Sequence, residues 1–389
     1  MTAMGRVAVV RNHFLPYSET FIHDELRHHR RYQATVFTRR WRNARRYPGH
    51  RVIAVERLPE APRPLASLRY SLTGTSPRHE RIFRQEDFHL VHAHFGYDGI
   101  QGLHFARRHR LPLVVSLHGH DVAILMGRSR FLPEWWHYWL GRRALFAEAT
   151  LFLAASSELR DLVIGLGCPA AKVAVHRLGV DLTRFTPLPV EAPGPPRVVM
   201  VGRFVEKKGH RQALLAAAAA MARGAEFRLV LIGDGPLRPR CERLARELGL
   251  AGRTEFAGVL EPAEVRRRLQ GAALLLAPSL VARDLDRESG VISAKEGAAC
   301  GLPVLGTEHG GLPEIVDHGR TGFLVAEGAV EPLAARLLQL LGDPGLRRAM
   351  GAAGRRKMER EYDVQERVEA LEAHYDEAIA RFRRERSRT

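Results

Sequence analysis

Two glutamates eight positions apart bound the segment Glu288-Ser-Gly-Val-Ile-Ser-Ala-Lys-Glu296, the strongest candidate for ligand chemistry in the chain. On a helix, eight residues rise about 12 Å with about 80° of net rotation, so the two carboxylates would address different parts of one elongated ligand, not one metal ion. That length matches a nucleotide sugar. One glutamate reaches sugar hydroxyls and the other a ribose diol, while N–H groups around Ser289, Gly290 and Val291 receive phosphate or sugar oxygens. Upstream, Gly202-Arg-Phe-Val-Glu-Lys-Lys-Gly209 sets Arg203 and Lys208 between an apolar run and an alanine-rich helical stretch. Two cations there suit a diphosphate, because the start of a helix already favours an anion. Gly233-Asp-Gly235-Pro236 is a tight turn allowing close backbone approach, without the third glycine of a dinucleotide fingerprint. Taken singly, each segment also fits solvated charges around a turn.

The first half offers histidines. His92-Ala-His94-Phe-Gly96 and Ser116-Leu-His118-Gly119-His120-Asp121 each follow an apolar run. As metal chemistry they spell a hydrolytic zinc or binuclear site, so a metal-dependent hydrolase using His92, His94, His118, His120 and Asp121 is a competing reading. No further carboxylate and histidine ligands follow at later strand ends, and cleft-lining or buried, hydrogen-bonded histidines are the simpler role for His92 and His94. Near the start, Phe14-Leu-Pro-Tyr-Ser18-Glu19-Thr20-Phe21-Ile22 predicts a helix with Ser18 as N-cap and Phe21 and Ile22 on the packed side. Arg128 to Ala147 interleave Trp135, Trp136, Tyr138 and Trp139 with Arg130, Arg142 and Arg143. That mixture suits an interfacial helix at an anionic lipid surface, an acceptor groove or a packing helix.

Short Val/Leu/Ile/Ala runs, separated by helical stretches, must position these groups. They are Val7–Val10, Ala34–Phe37, Leu90–Ala93, Leu113–Leu117, Leu151–Ala155 and Val173–Val175, then Val198–Val201, Leu229–Ile232, Glu255–Ala257, Leu274–Ala277, Pro303–Leu305 and Phe323–Val325. Runs without period-two alternation predict buried parallel strands. Between the halves, Pro187, Pro189, Pro193, Pro195 and Pro196 exclude helix and central strand. The expected architecture is α/β, with a Rossmann-like domain over 1–186, a proline-rich linker over 187–196 and a second Rossmann-like domain over 197–360. A C-terminal helix over 361–389 is able to cross back to the first domain. In such sheets ligands sit at the carboxyl ends of the strands.

The 389 residues, 45% of them hydrophobic, exclude a disordered tail and suit two domains. Cys168, Cys241 and Cys300 are odd in number and far apart, with no CxxC, so a reducing compartment is expected. No apolar run approaches the roughly 20 residues of a membrane-spanning helix, and no cleavable signal pattern opens the sequence. A cytoplasmic, soluble protein is the expectation. The excess of 60 Lys+Arg over 43 Asp+Glu is uneven: residues 1–187 carry 28 and 15, against 32 and 28 in the remainder. Arg27 to Arg57 alone hold ten arginines with Glu56 as the one acid, which is either a solvated face or a surface for an anionic partner. No nucleic-acid readout motif accompanies this charge.

The second half resembles the donor-binding domain of the retaining GT-B glycosyltransferases of family 4. The resemblance rests on four elements in order: Gly202-Arg203-x4-Lys208-Gly209, Glu288-x7-Glu296, Ala299-x-Gly301-x-Pro303-Val304 and Gly310-Gly311-x-Pro313-Glu314. Leu178-Gly179-Val180-Asp181 resembles the stretch that closes the first domain there, and Phe14 to Ile22 resembles enzymes of exopolysaccharide assembly of the colanic acid and amylovoran type. The resemblance implies two Rossmann-like domains facing across a cleft, with Arg203 and Lys208 clamping a diphosphate beside Gly202 and Gly235. Glu288 would contact the donor sugar and Glu296 the ribose. Ser289-Gly290-Val291 departs from the commoner Glu-Gly-x-Pro form of the donor loop. His118 and Gly119 would meet the transferred hexose near the anomeric carbon, and Ser18, Glu19 and Thr20 would line the cleft. The implied co-substrate is a nucleoside diphosphate sugar with no metal, and the acceptor a saccharide or polyprenyl-linked saccharide, with peripheral attachment at the inner membrane face. Asp284-Leu-Asp286 spells the metal motif of the other large glycosyltransferase class but reads here as a loop acid pair. GT-B folds also serve sugar-nucleotide epimerases, the remaining alternative.

Overall fold

The computed structural model describes residues 4–57, 70, 76–188 and 194–387. They divide into two compact units, Met1–Gly179 with Val364–Thr389, and Val180–Asp363. Residues 189–193 of the expected linker lie outside the described residues.

In the first unit seven parallel strands run in the order Arg51–Ala54, Tyr32–Thr38, Gly5–Val10, Leu90–His94, Leu113–Leu117, Leu151–Ala154 and Val173–Val175. Val7, Ala8, Val9 and Val10 are all fully buried, as a strand covered on both faces requires. Strand order reverses between Gly5–Val10 and Leu90–His94, which makes their carboxyl ends a topological switch point.

The arginine-rich stretch differs from the solvated loop and helix face weighed from sequence. It supplies the edge strand Arg51–Ala54 and a short ladder of Arg40–Trp41 with His13–Phe14. A short, charged edge strand pairs on one side only, so it needs no apolar run to announce it. Some arginines serve the fold: Arg51 pairs with Glu86, and Arg57 lies 4.5 Å over the Trp41 ring.

The C-terminal helix Val364–Arg386 belongs to this unit. Leu371, Tyr375 and Ala378, on one helical face, join the core formed by Val7, Val9, Leu90 and Val114. Glu372 is also buried, and its Oε1 accepts the backbone N–H groups of Arg30, Arg31 and Tyr32 at 2.8, 2.9 and 3.2 Å.

The second unit is a six-stranded parallel sheet in the order Thr254–Gly258, Arg228–Ile232, Arg197–Val201, Leu274–Ala277, Val304–Thr307 and Gly322–Val325. Each central strand feeds two cores. Val198, Leu229 and Leu274 face one, and Val199, Val230 and Leu275 the other. In the first core the alanines of helix His210–Ala222, fully buried at Ala213, Ala216, Ala217 and Ala220, pack with Leu333 and Leu337 of helix Val330–Gly342. Here too strand order reverses beside the first strand, between Arg197–Val201 and Leu274–Ala277. No helix among the described residues is long and apolar enough to cross a membrane, and all three cysteines are buried and free.

Removing the Glu372 carboxylate takes the acceptor from the buried Tyr32 N–H and the partly buried Arg30 and Arg31 N–H groups, so Glu372→Ala is expected to lose about 2 kcal/mol in urea unfolding at pH 7. Burial opposes ionisation of Glu372, but His29 and the N–H groups of Arg31 and Arg30 hold its pKa down at about 2. The contribution is therefore present above the ordinary carboxylate pKa and is lost as pH falls towards 2, so the gap between wild type and variant should close over that window.

Candidate active site

At the switch point of the second unit, the first strand ends at Val201 and the chain turns through Gly202, Arg203 and Phe204 into the short 3-10 turn Glu206–Lys208. Gly209 then starts the helix with φ +74, and a Cβ there would lie 1.8 Å from the Pro278 carbonyl oxygen, so no other residue fits this approach. The neighbouring turn presses equally close: a Cβ on Gly233 would lie 2.1 Å from the Gly202 oxygen. Phe204 N–H donates to Asp234 O at 2.9 Å, which ties the two loops.

Into this frame the second half of the unit delivers charge. Lys208 Nζ donates to Glu288 Oε2 at 2.7 Å, and Lys207 Nζ lies 3.4 Å from Glu288 Oε1 and 3.1 Å from Asp286 Oδ1. Burial opposes ionisation of Glu288, yet Lys208 and then Lys207 hold its pKa down at about 2. Burial likewise opposes the charge on Lys207, and Glu288 and Asp286 keep its pKa above the ordinary lysine value. Glu288 N–H donates to His309 Nε2 at 3.0 Å, and His309 Nδ1 lies 2.6 Å from Glu327 Oε1. Arg203 is exposed at the edge of this cluster.

The two glutamates do not share a helix as the spacing suggested. Helix Ile292–Ala299 carries Glu296, while Glu288 sits in the preceding loop, because Lys207, Lys208 and His309 hold that loop off the helical path. Val291, the N-cap, has φ 25 and ψ 62, a strained conformation for a β-branched residue, and it gives no side-chain cap to the first turn. Ser289 and Val291 are buried and Gly290 half-buried beside it. The helix thus begins a few residues past Glu288 with no side-chain cap on its first turn. Asp284 and Asp286 form no open carboxylate pair: Asp286 is held by Lys207, and Asp284 accepts the Asp286 N–H.

At the switch point of the first unit, Arg11 fills the corresponding place. Its guanidinium meets both carboxylate oxygens of Glu19 at 2.9 and 2.5 Å and Asp98 Oδ2 at 2.5 Å, and it lies 4.3 Å over the Phe95 ring. Glu19 is therefore committed to Arg11, and it, not Ser18, is the N-cap of helix Thr20–Arg27, again without a side-chain cap bond. Ser18 is exposed and Thr20 half-buried.

The five residues of the hydrolase reading do not form a metal cage. Asp121 spends its oxygens on the N–H groups of Gly96, His118, Gly119 and Val122, clipping the loop that carries His118. His92 has Ser116 Oγ at 2.8 Å on one nitrogen and Tyr375 Oη at 2.7 Å on the other. Among the described residues the one group with metal-ligand proximity is Glu25, His92 and His94, all buried, and it needs His92 to give up Tyr375. His118 is half-buried, its ring flanked by Phe21 and Phe95 at 4.8 and 4.6 Å.

With this geometry in view, family models match both halves: "Glycosyltransferase Family 4" over residues 19–184 and "Glycosyl transferases group 1" over 189–357. The chain belongs to the group 1, family 4 glycosyltransferases. Among relatives, it is 35% identical over 250 residues to a Salmonella typhimurium protein named for colanic acid biosynthesis, WcaL, covering 64% of this chain and 60% of that one. It is 33% identical over 259 residues to the amylovoran biosynthesis glycosyltransferase AmsK of Erwinia amylovora, covering 65% and 61%. The chain thus spans about three fifths of the length of these relatives. In fold it superposes on Anabaena HepE, solved in complex with UDP, with TM-score 0.75 at 18% identity, covering 96% of this chain and 100% of that one. The two parallel-sheet units are those of the GT-B fold.

Arg11, Asp98, Glu25 and Lys207 were not singled out from sequence. For Arg11 and Lys207 a signal existed, a cation one or a few residues past the first strand of each unit. Lys207→Met keeps the stem but leaves Asp286 and Glu288 short of a buried partner, and should cost about 3 kcal/mol in denaturant unfolding at pH 7.

Proposed function

We propose that this glycosyltransferase moves a hexosyl group from a nucleoside diphosphate sugar to a hydroxyl of a saccharide or lipid-linked saccharide, with retention at the anomeric carbon, in cell-surface polysaccharide assembly. The observation that carries the reading is the Lys208–Glu288 pair, a cation and a carboxylate 2.7 Å apart at the switch point beside an uncapped helix start. A diphosphate joined to a sugar presents the same juxtaposition in reverse: anionic oxygens for Lys208, Arg203 and the helix N–H groups, and hydroxyls for Glu288. HepE, of like fold, is described with UDP, and the relatives WcaL and AmsK are named for polysaccharide biosynthesis. Gly202 and Gly235 admit the phosphates, the N–H groups of Ser289, Gly290 and Val291 receive their oxygens, and Glu296 serves the ribose.

The cations and helix dipole stabilise the departing diphosphate electrostatically, so no metal is required. No side chain is placed as a covalent nucleophile, and the leaving diphosphate oxygen takes the acceptor's proton. In the first unit, His118 and the Gly119 backbone contact the hexose, with Ser18 and Thr20 at the rim.

The same reading places the acceptor on the first unit. Burial first, and then Arg11, Arg40, Arg39 and Arg42, push the pKa of His13 down to about 4. Phe131, Leu132, Trp136 and Leu140 are exposed within ten residues, among Arg128, Arg130, Arg142 and Arg143. Exposed aromatic and aliphatic groups rimmed by arginine fit the interface of an anionic membrane that carries the acceptor.

Thermal-shift screening against UDP, GDP and TDP sugars should give one donor that raises the melting point. Lys208→Ala and Glu288→Ala should abolish its transfer with the fold intact, while Asp284→Asn and chelation leave it unchanged. Full transfer by both first variants would sink the assignment. Sedimentation with phosphatidylglycerol vesicles should be lost in the double variant Trp136→Glu, Leu140→Glu; binding equal to wild type would return that helix to a packing role.

A further inference from the structure

Three neighbouring strand ends of the second unit are tied to the Glu288 loop through one buried histidine. His309 follows strand Val304–Thr307, Val281 lies in the loop after Leu274–Ala277, and Glu327 follows Gly322–Val325. The Glu288 N–H donates to His309 Nε2 at 3.0 Å, and His309 Nδ1 lies 2.6 Å from Glu327 Oε1. Glu327 Oε2 in turn accepts the Val281 N–H at 2.8 Å. Glu308 N–H donates to Val325 O at 2.8 Å, which sets His309 and Glu327 side by side. His309 is buried, and both of its ring nitrogens are engaged.

Each neighbour of the ring can bond in one sense only. A backbone N–H donates, so Nε2 carries no proton; an ionised carboxylate accepts, so Nδ1 carries the hydrogen. A second ring proton, on Nε2, would set two donors against each other. Glu288 needs this partner because it lies outside the helix that begins at Ile292, so the acceptor for its N–H has to come from another segment. We propose that His309, oriented by Glu327, is a positioning residue whose neutral Nδ1–H tautomer holds the main chain of Glu288 and so aims its carboxylate at the donor sugar. The side-chain hold alone is not enough for that task. Lys208, which grips the Glu288 carboxylate at 2.7 Å, is also the cation that a diphosphate would recruit, whereas the bond to His309 is made by the backbone and does not compete with that exchange. The donor sugar rests on the transferase reading; the tautomer and the backbone bond do not.

Side-chain nitrogen-15 spectra of the full-length protein test the tautomer, with the His309 signal assigned by its loss in His309→Gln. The expected wild-type signature is a protonated Nδ1 and an unprotonated Nε2; a protonated Nε2 overturns the proposal. In transfer assays His309→Leu and His309→Asn, which offer the Glu288 N–H no acceptor, should lower kcat by about tenfold or more. His309→Gln, whose longer amide carries an oxygen to the Nε2 position, should keep kcat within about threefold of wild type. Affinity for the nucleoside diphosphate alone should stay within about twofold in all three. Equal kcat losses in the Gln, Asn and Leu variants, or a parallel loss of nucleoside diphosphate affinity, would reduce His309 to packing and overturn its positioning role. Glu327→Ala should lower kcat in the same direction and add less than its own factor when combined with His309→Leu; losses that multiply would overturn the orienting role of Glu327. Circular dichroism checks folding, and the wild-type spectrum decides the tautomer even where a variant does not fold. Because the spectrum needs no turnover, a wild type inactive on every sugar nucleotide overturns the transferase reading alone.

Discussion

A charge withdrawn from water has to be matched where it lies, and both units meet this demand at the same place, the carboxyl end of the first strand. In one, Arg11 lies between Glu19 and Asp98; in the other, Lys207 lies between Asp286 and Glu288. The sheets favour this location. Their strands are parallel and covered on both faces, so polar side chains with work to do collect past the strand ends, where order reverses and neighbouring loops part. Each pairing then pulls distant segments together. Asp98 reaches Arg11 from 87 positions away, and Glu288 reaches Lys208 from 80.

Two adjacent lysines solve a problem that one could not. A buried carboxylate left without its partner is strongly destabilising, by about 3–5 kcal/mol. Were a diphosphate to engage Lys208, as proposed, the deeper Lys207 would still face Glu288 and Asp286. The exposed Arg203 carries no such burden in the fold. Of the acid pair, Asp286 thus serves Lys207, while Asp284 accepts the Asp286 N–H.

The architecture was legible because buried parallel strands need uninterrupted apolar runs, and each such run became a strand within a few residues of its expected bounds. Arg51–Ala54 escaped because an edge strand needs apolar residues on fewer sides. Ser18 was a sound cap by type, but Glu19 is drawn to Arg11 and moves the helix start by one residue. The Glu288 to Glu296 spacing was read on a helix that starts only at Ile292, since local periodicity carries no trace of lysines 80 positions away. For the same reason Arg11, Asp98 and Lys207 stayed unremarked: single charges acquire meaning through partners that topology supplies.

The histidines show how a second contact decides what a residue type can do. Glu25, His92 and His94 have the identities and proximity of a metal site. Tyr375, delivered from the last helix of the chain 283 positions away, occupies the nitrogen that His92 would need, and Ser116 occupies the other. With His92 fully engaged, Glu25 is left to His94, and His94 to His118. What remains is a buried cluster in which His94 lies 3.3 Å from Glu25 on one nitrogen and 3.3 Å from His118 on the other. The C-terminal helix therefore does more than cover the core of the first unit, because removing its tyrosine hydroxyl would return to His92 the freedom that separates a metal ligand from a structural histidine.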